Sequence, residues 1–356
     1  MSGWLPSAPC TPEACVTGPV PAVPLLRRLL RCAALAAVLA AGLVLAPLLR
    51  PRAPRARPGR RGPGGHRELP ADRLVSGWSR LLLAALGVRI RAVGAGRAGA
   101  ADPGAGRGAG RPVGGGAARG TLLVANHVSW VDVLLVAAVR PGRMLAKTEV
   151  RSWPLFGRLA AGVGTIFIER DRLRALPRTV QEIGAALRRG EHVVVFPEGS
   201  TWCGRGGGRF RSAAFQAALE AGAPVQPVTI RYRLADGAPT TAPAFVGEDG
   251  LLASLWRVVT VRGLVAELTL LPRIPAGRHL ERRSLARAAQ LSVQRCQAGE
   301  HRPGHLLDHH SGCRPGHQAV PQTVHHVAHH VAHHAGHHVA HHADPRAGYR
   351  ARAAAP

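Results

Sequence analysis

Apolar residues fall along this chain in two distinct rhythms. From residue 32 to 49 the run CAALAAVLAAGLVLAPLL holds 18 residues without a charge, near the lower limit for crossing a bilayer. Residues 74–93, LVSGWSRLLLAALGVRIRAV, place leucines and Trp78 at helical spacing and then alternate, which predicts an amphipathic helix entering a short strand. Between 120 and 297 the apolar runs become short. They predict strands near 121–125, 143–147, 164–168, 192–196, 225–231 and 264–271, separated by helical stretches at 130–139, 152–161, 173–189, 210–221 and 280–297. Such alternation predicts an α/β fold with a largely parallel central sheet flanked by helices, preceded by a membrane-anchoring helix and the amphipathic helix. In sheets of this kind sites gather where strands end and helices begin.

The boundaries follow from the same pattern. Residues 1–26 are rich in Pro and small residues and are expected to be disordered; 27–50 form a transmembrane anchor and 51–70 a basic linker. A folded domain covers 71–297, carrying a Gly/Ala/Arg insertion at 94–119, and 298–356 form a His-rich low-complexity tail. The insertion contains GAGRAG (94–99), which satisfies GxGxxG, but Pro103 and repeated glycines follow where a helix is required, so chance explains the match. In the tail, HHVAHHVAHHAGHHVAHHAD (325–344) repeats every four residues, and either metal binding or low-complexity expansion, including translation in a shifted frame, accounts for it.

Charge adds a membrane to this picture and argues against nucleic acid. The 47 Lys and Arg outnumber the 20 Asp and Glu, yet the arginines are scattered and aromatics make up only 4%. A nucleic-acid surface wants a basic stripe with interleaved aromatics. Arg27, Arg28 and Arg31 precede the apolar run, and Arg50, Arg52, Arg55, Arg57, Arg60 and Arg61 follow it. The positive-inside rule leaves the residues after the run in the cytoplasm, with a cleaved signal peptide as the rival reading. The six cysteines (10, 15, 32, 203, 296, 313) show no CxxC spacing, and the expectation is reduced thiols with no metal site.

Candidate chemistry concentrates in VANHVSWVD (124–132). On one continuous helix, five residues would set His127 and Asp132 about 140° apart. They meet only if His127 sits in the turn after a strand and Asp132 in the first helical turn. An aspartate on one ring nitrogen fixes the tautomer and leaves the other nitrogen free to accept a proton near neutral pH; a purely structural His–Asp bond at a helix start is the alternative. No GxSxG elbow occurs in the chain, so the base would act on a hydroxyl of the substrate rather than on a protein serine. HxxxxD also lacks the spacing of a helical zinc pair. A second stretch, VVVFPEGSTWCG (193–204), ends a fully apolar strand on Glu198 and Gly199. Turn chemistry accounts for Gly and Ser there, but less well for a carboxylate at the end of a buried strand.

Taken in order, NHVSWVD (126–132), GTIFIERDR (164–172), FPEGST (196–201) and APVQPVTIRY (223–232) resemble the four motif blocks of the PlsC-type 1-acylglycerol-3-phosphate acyltransferases, over roughly residues 74–297. Ser200 stands where Thr is commoner in that family, and Arg211 where Lys is frequent. The resemblance implies that 71–297 is an acyltransferase domain, that His127 is the general base, and that Asp132 orients it. It implies further that Arg170 binds the acceptor phosphate, with Asn126, Glu198, Gly199, Ser200, Lys147 and Arg211 lining the substrate site. Transfer would run directly from acyl-CoA or acyl carrier protein to the free hydroxyl of lysophosphatidic acid, giving phosphatidic acid, with no cofactor and no metal. A lyso-ornithine lipid is the alternative acceptor, and a membrane-anchored His-rich metal-binding protein is a reading from another class. Membrane lipids are the expected surroundings, without nucleic acid or an obligate protein partner, at the cytoplasmic side of the cell membrane.

Overall fold

A computed structural model describes residues 8–16, 18, 20–49, 70–94, 120–152, 156–169 and 172–299. Most of the linker, most of the 94–119 insertion and nearly all of the His-rich tail therefore lie outside the described residues. In chain order the elements are α1 (Pro12–Cys15), α2 (Leu25–Leu49), α3 (Pro70–Ala85), β1 (Arg89–Val93), β2 (Leu122–Ala125), α4 (Val131–Val139), β3 (Arg143–Lys147), α5 (Phe156–Gly162) and β4 (Ile166–Ile168). They continue with α6 (Leu176–Arg188), β5 (Val193–Val195), α7 (Ala213–Ala221), β6 (Val225–Arg233), α8 (Leu251–Thr260), β7 (Val265–Leu270) and α9 (Arg282–Ala298).

Seven strands form one sheet in the order β1-β7-β6-β2-β5-β3-β4. Every neighbouring pair is parallel except β6 and β7, as the α/β reading expected. The central strands β2 and β5 are buried at every position, the signature of parallel strands covered on both faces. Alternate residues serve opposite layers. Leu123, Val194 and Ile230 pack with Leu83 of α3, Leu135 of α4 and Val258 of α8. Leu122, Val124 and Val193 pack with Ile183 of α6, Phe215 of α7 and Ala289 of α9. The helix α8 was not anticipated. Its sequence LLASLWRVVT ends in β-branched residues that suit a strand equally well, and only its apolar spacing after Gly250 marks it as a helix.

Two expectations about the N-terminal region need correcting. Residues 8–16 and 20–24 include well-packed positions: Cys10 and Val23 are buried, and Ala22 forms a β-bridge with Val261. The Val23 N–H donates to the Thr260 carbonyl and the Arg262 N–H to the Pro21 carbonyl, so this proline-rich strip finds backbone partners on the domain. Among the described residues no helix is long and apolar enough to cross a membrane. The α2 helix instead lies on the domain. Arg31 donates to the carbonyls of Val259 (2.7 Å) and Val261 (2.9 Å), Leu35 is buried, and the Trp78 indole donates to the Val38 carbonyl. The arginine in the helix's second turn ties its N-terminal half to domain carbonyls. The cysteines also depart from the expected picture: Cys10, Cys15, Cys32 and Cys203 are free thiols, whereas Cys296 is disulfide-bonded.

Candidate active site

The register of the central strands brings the two conspicuous turns together. Val124 pairs with Val195 across β2 and β5, and Ala125 with Val228 across β2 and β6. Because all three strands run the same way, the segments that follow them emerge at one end of the sheet. His127 leaves β2 there, Glu198 leaves β5, and Tyr232 is the penultimate residue of β6.

Asp132, fully buried in the first turn of α4, is the anchor. Its Oδ2 accepts from the backbone N–H groups of Val128 (2.6 Å) and Ser129 (2.8 Å) and pairs with His127 Nδ1 at 2.9 Å. Its Oδ1 accepts from the Tyr232 hydroxyl at 2.6 Å. With both oxygens acting as acceptors, Asp132 assigns the proton to His127 Nδ1 and leaves Nε2 as the basic nitrogen. Burial, then the charge of Asp132, raises the Tyr232 hydroxyl well above its ordinary range, so it stays a donor. The His127 ring stacks on Phe196 with centroids 4.0 Å apart and planes 14° from parallel. Its side chain keeps 19% exposure while Asp132 has none, so the imidazole is the part of the pair open to a second molecule.

Glu198 ties the two turns into one unit. Its Oε2 accepts from the His127 backbone N–H (2.9 Å) and its Oε1 from the Gly208 N–H (3.2 Å). Burial pushes this carboxyl up to about 8, the two N–H bonds oppose the rise, and the charge of Asp132 adds to it. Gly199 adopts φ 78° directly after it, a conformation that side chains resist. Trp202 closes the loop, its N–H donating to the His127 carbonyl at 2.8 Å.

Comparison with known proteins shows the family. A family model described as Acyltransferase matches residues 115–231. The lyso-ornithine lipid O-acyltransferase of Pseudomonas aeruginosa is 38% identical over 271 residues, covering 76% of this chain and 93% of that protein. The chain belongs to the acyltransferase family. A 1-acyl-sn-glycerol-3-phosphate acyltransferase of Neisseria gonorrhoeae is also 38% identical, over 149 residues that cover 42% of this chain and 58% of that protein. The crystal structure of the 1-acyl-sn-glycerophosphate acyltransferase PlsC from Thermotoga maritima shares the fold, with a TM-score of 0.52 at 18% identity over 79% of this chain and 98% of that one.

Within this acyltransferase the anticipated residues fall into three groups. His127, Asp132 and Glu198 are linked by direct bonds. Asn126 stands beside them but faces the sheet, its amide donating to and accepting from the Ile230 backbone at 2.9 and 2.8 Å. Gly199 and the half-buried Ser200 continue the Glu198 turn, and exposed Arg211 joins it through its N–H to the Pro197 carbonyl. Lys147 is exposed at the end of β3, the strand beyond β5. Arg170 lies outside the described residues. Tyr232 and Phe196 were not foreseen as site residues. Strand parity held the signal for Tyr232, since it shares the face of Ile230, toward α4.

Proposed function

We propose that the protein transfers an acyl group from a thioester, acyl-CoA or acyl carrier protein, to the free hydroxyl of 1-acyl-sn-glycerol 3-phosphate. The observation that carries this reading is the His127–Asp132 pair, with Nδ1 engaged and the imidazole partly exposed. His127 Nε2 takes the hydroxyl proton as the acceptor oxygen attacks the thioester carbon. The new C–O bond forms, the C–S bond breaks, and the same imidazolium returns the proton to the departing thiolate. Asp132 stabilises the imidazolium. No acyl-enzyme and no cofactor enter this scheme.

Arg170, from the motif FIER, is assigned to the acceptor phosphate, since a guanidinium fork suits that group. Lys147 and Arg211 are supporting cations. The enzyme sits on the membrane rather than through it, with Leu25, Leu26, Leu29 and Leu30 of α2 more than half exposed and Leu252 of α8 79% exposed. Acyl-CoA and acyl carrier protein are cytoplasmic thioesters, which supports an active face on the cytoplasmic side.

A second reading, acylation of a lyso-ornithine lipid, is favoured by the near full-length match to the Pseudomonas enzyme of that name. One experiment separates them. Purified enzyme is given labelled acyl-CoA with either lysophosphatidic acid or lyso-ornithine lipid. The phosphate reading expects preference for lysophosphatidic acid, and expects Arg170→Ala to raise KM for it by roughly tens- to thousands-fold, with Arg170→Lys recovering only part. Good acylation of the ornithine lipid with poor use of lysophosphatidic acid overturns the acceptor and leaves the mechanism standing. His127→Ala is expected to abolish transfer to either acceptor. Wild-type turnover in that variant overturns the mechanism itself.

A further inference from the structure

Two thiols five residues apart near the N-terminus meet a third, nearly 200 residues on, next to the turn that holds His127. The Sγ atoms of Cys10, Cys15 and Cys203 all lie within 4.8 Å of one another, with Cys10 and Cys203 buried and Cys15 partly so. No CxxC spacing announces them, because the fold supplies the juxtaposition. Thr11 caps the single turn of α1, its hydroxyl accepting from the Ala14 N–H, and the Cys15 N–H donates to the Thr11 carbonyl. That turn brings Cys10 and Cys15 to one side. Cys203 arrives from the loop after β5, one residue past Trp202.

We infer that Cys10, Cys15 and Cys203 form a three-thiolate site for a zinc ion. Four-coordinate zinc at about 2.3 Å from each sulfur separates the sulfurs by about 3.8 Å, so shifts within about 1 Å close the present cluster around an ion. A disulfide needs about 2 Å between two sulfurs and leaves the third alone, which makes poorer use of a trio. Gly204, at φ 89°, turns the chain directly after Cys203. Three thiolates and Zn²⁺ carry a net charge of −1, and Arg205 follows Cys203 by two residues in the chain. Three protein ligands leave a fourth position for water or an exogenous ligand. The ion would clamp residues 10–15 onto the loop whose Trp202 N–H holds the His127 carbonyl, which makes it a structural brace for the active site.

The full-length protein, kept reduced, is titrated to saturation with Co²⁺. A thiolate-to-cobalt charge-transfer band is expected both in the wild type and in Cys313→Ser, which removes the single thiol of the histidine-rich tail. Cys10→Ser, Cys15→Ser and Cys203→Ser should each lower the intensity and weaken zinc competition by more than about 100-fold, beyond the 10–100-fold typical of an outer contact. Cys32→Ser should leave both unchanged. Independently of any variant's folding, Zn²⁺ should protect Cys10, Cys15 and Cys203 of the wild type from alkylation together while Cys32 reacts. Absence of the sulfur band, its survival in all three variants, or alkylation of the trio at an unchanged rate overturns the proposal. So does a disulfide between two of the three in cells quenched with alkylating agent.

Discussion

The turns after β2 and β5 each bury a carboxylate, and the two are built differently. Asp132 is met by four groups: two backbone N–H, the His127 ring and the Tyr232 hydroxyl. Glu198 is met by two backbone N–H groups and feels the charge of Asp132 as well. At Glu198 burial raises the cost of ionisation, and the two hydrogen-bond donors oppose that rise without cancelling it. Where four converge, the carboxylate serves as the orienting partner of a base. Where two converge beside a like charge, the carboxyl retains its proton to about pH 8 and serves as a clamp between turns. Similar functional groups on neighbouring strands thus receive different tasks from their donor count.

The most damaging way to break this contrast is Asp132→Asn. The amide cannot stabilise an imidazolium and tends to reverse the His127 tautomer, so kcat should fall by roughly 10³- to 10⁴-fold, measured with saturating acyl-CoA. An ordinary kcat in folded protein would show that the four-donor arrangement is only structural. Removing one of the four donors is milder. Tyr232→Phe deletes a buried hydrogen bond to a charged group and should cost about 1.5–3 kcal/mol of stability, read from denaturant midpoints, with a smaller loss of kcat than Asp132→Asn.

Glu198→Gln sharpens the other side of the comparison. The unfolded carboxyl releases its proton near 4.5 and the folded one near 8. Between those values the native state holds the extra proton, so stability declines as pH rises, by up to about 1.4 kcal/mol per unit, and levels off above about 8. Glutamine has no such proton. Its variant should lose part of the clamp at acidic pH yet show a flatter dependence of Tm on pH across that window. A slope matching the wild type would assign the pH dependence elsewhere. The smallest effect is expected from truncation after residue 299: both turns lie within the described domain, so kcat and KM should stay as they were, and a loss of activity would give the tail a role.

The strand-and-helix alternation was legible because short buried runs such as LLVA and VVV leave few other options. The His127–Asp132 pairing was legible for a similar reason, since only a strand–turn–helix lets a five-residue spacing close. What could not be read was long-range. Tyr232 is 100 residues from Asp132, and nothing local marks its hydroxyl as a donor to that carboxylate. Charge-free length suggested a membrane span for α2, because Arg31 looks like a flanking charge until the carbonyls of Val259 and Val261 are seen to receive it. Proline and small residues suggested disorder before α2, although their carbonyls and N–H groups find partners more than 200 residues away.

That same attachment has a consequence for how the protein is made. Arg31 and Val261 are separated by 230 residues, and β1 pairs only with β7, at Arg89 and Val265. During synthesis at about 5–20 residues per second, some 10 to 50 s pass between the appearance of α2 and that of its docking site. Through that interval α2 has α3, whose Trp78 indole donates to the Val38 carbonyl, but not the carbonyls that receive Arg31. Whatever meets the nascent chain first, a lipid leaflet or a chaperone, has access to the exposed leucines of α2 before the end of α8 does. The order of translation thus makes the contacts of Arg31 among the last that the fold can close.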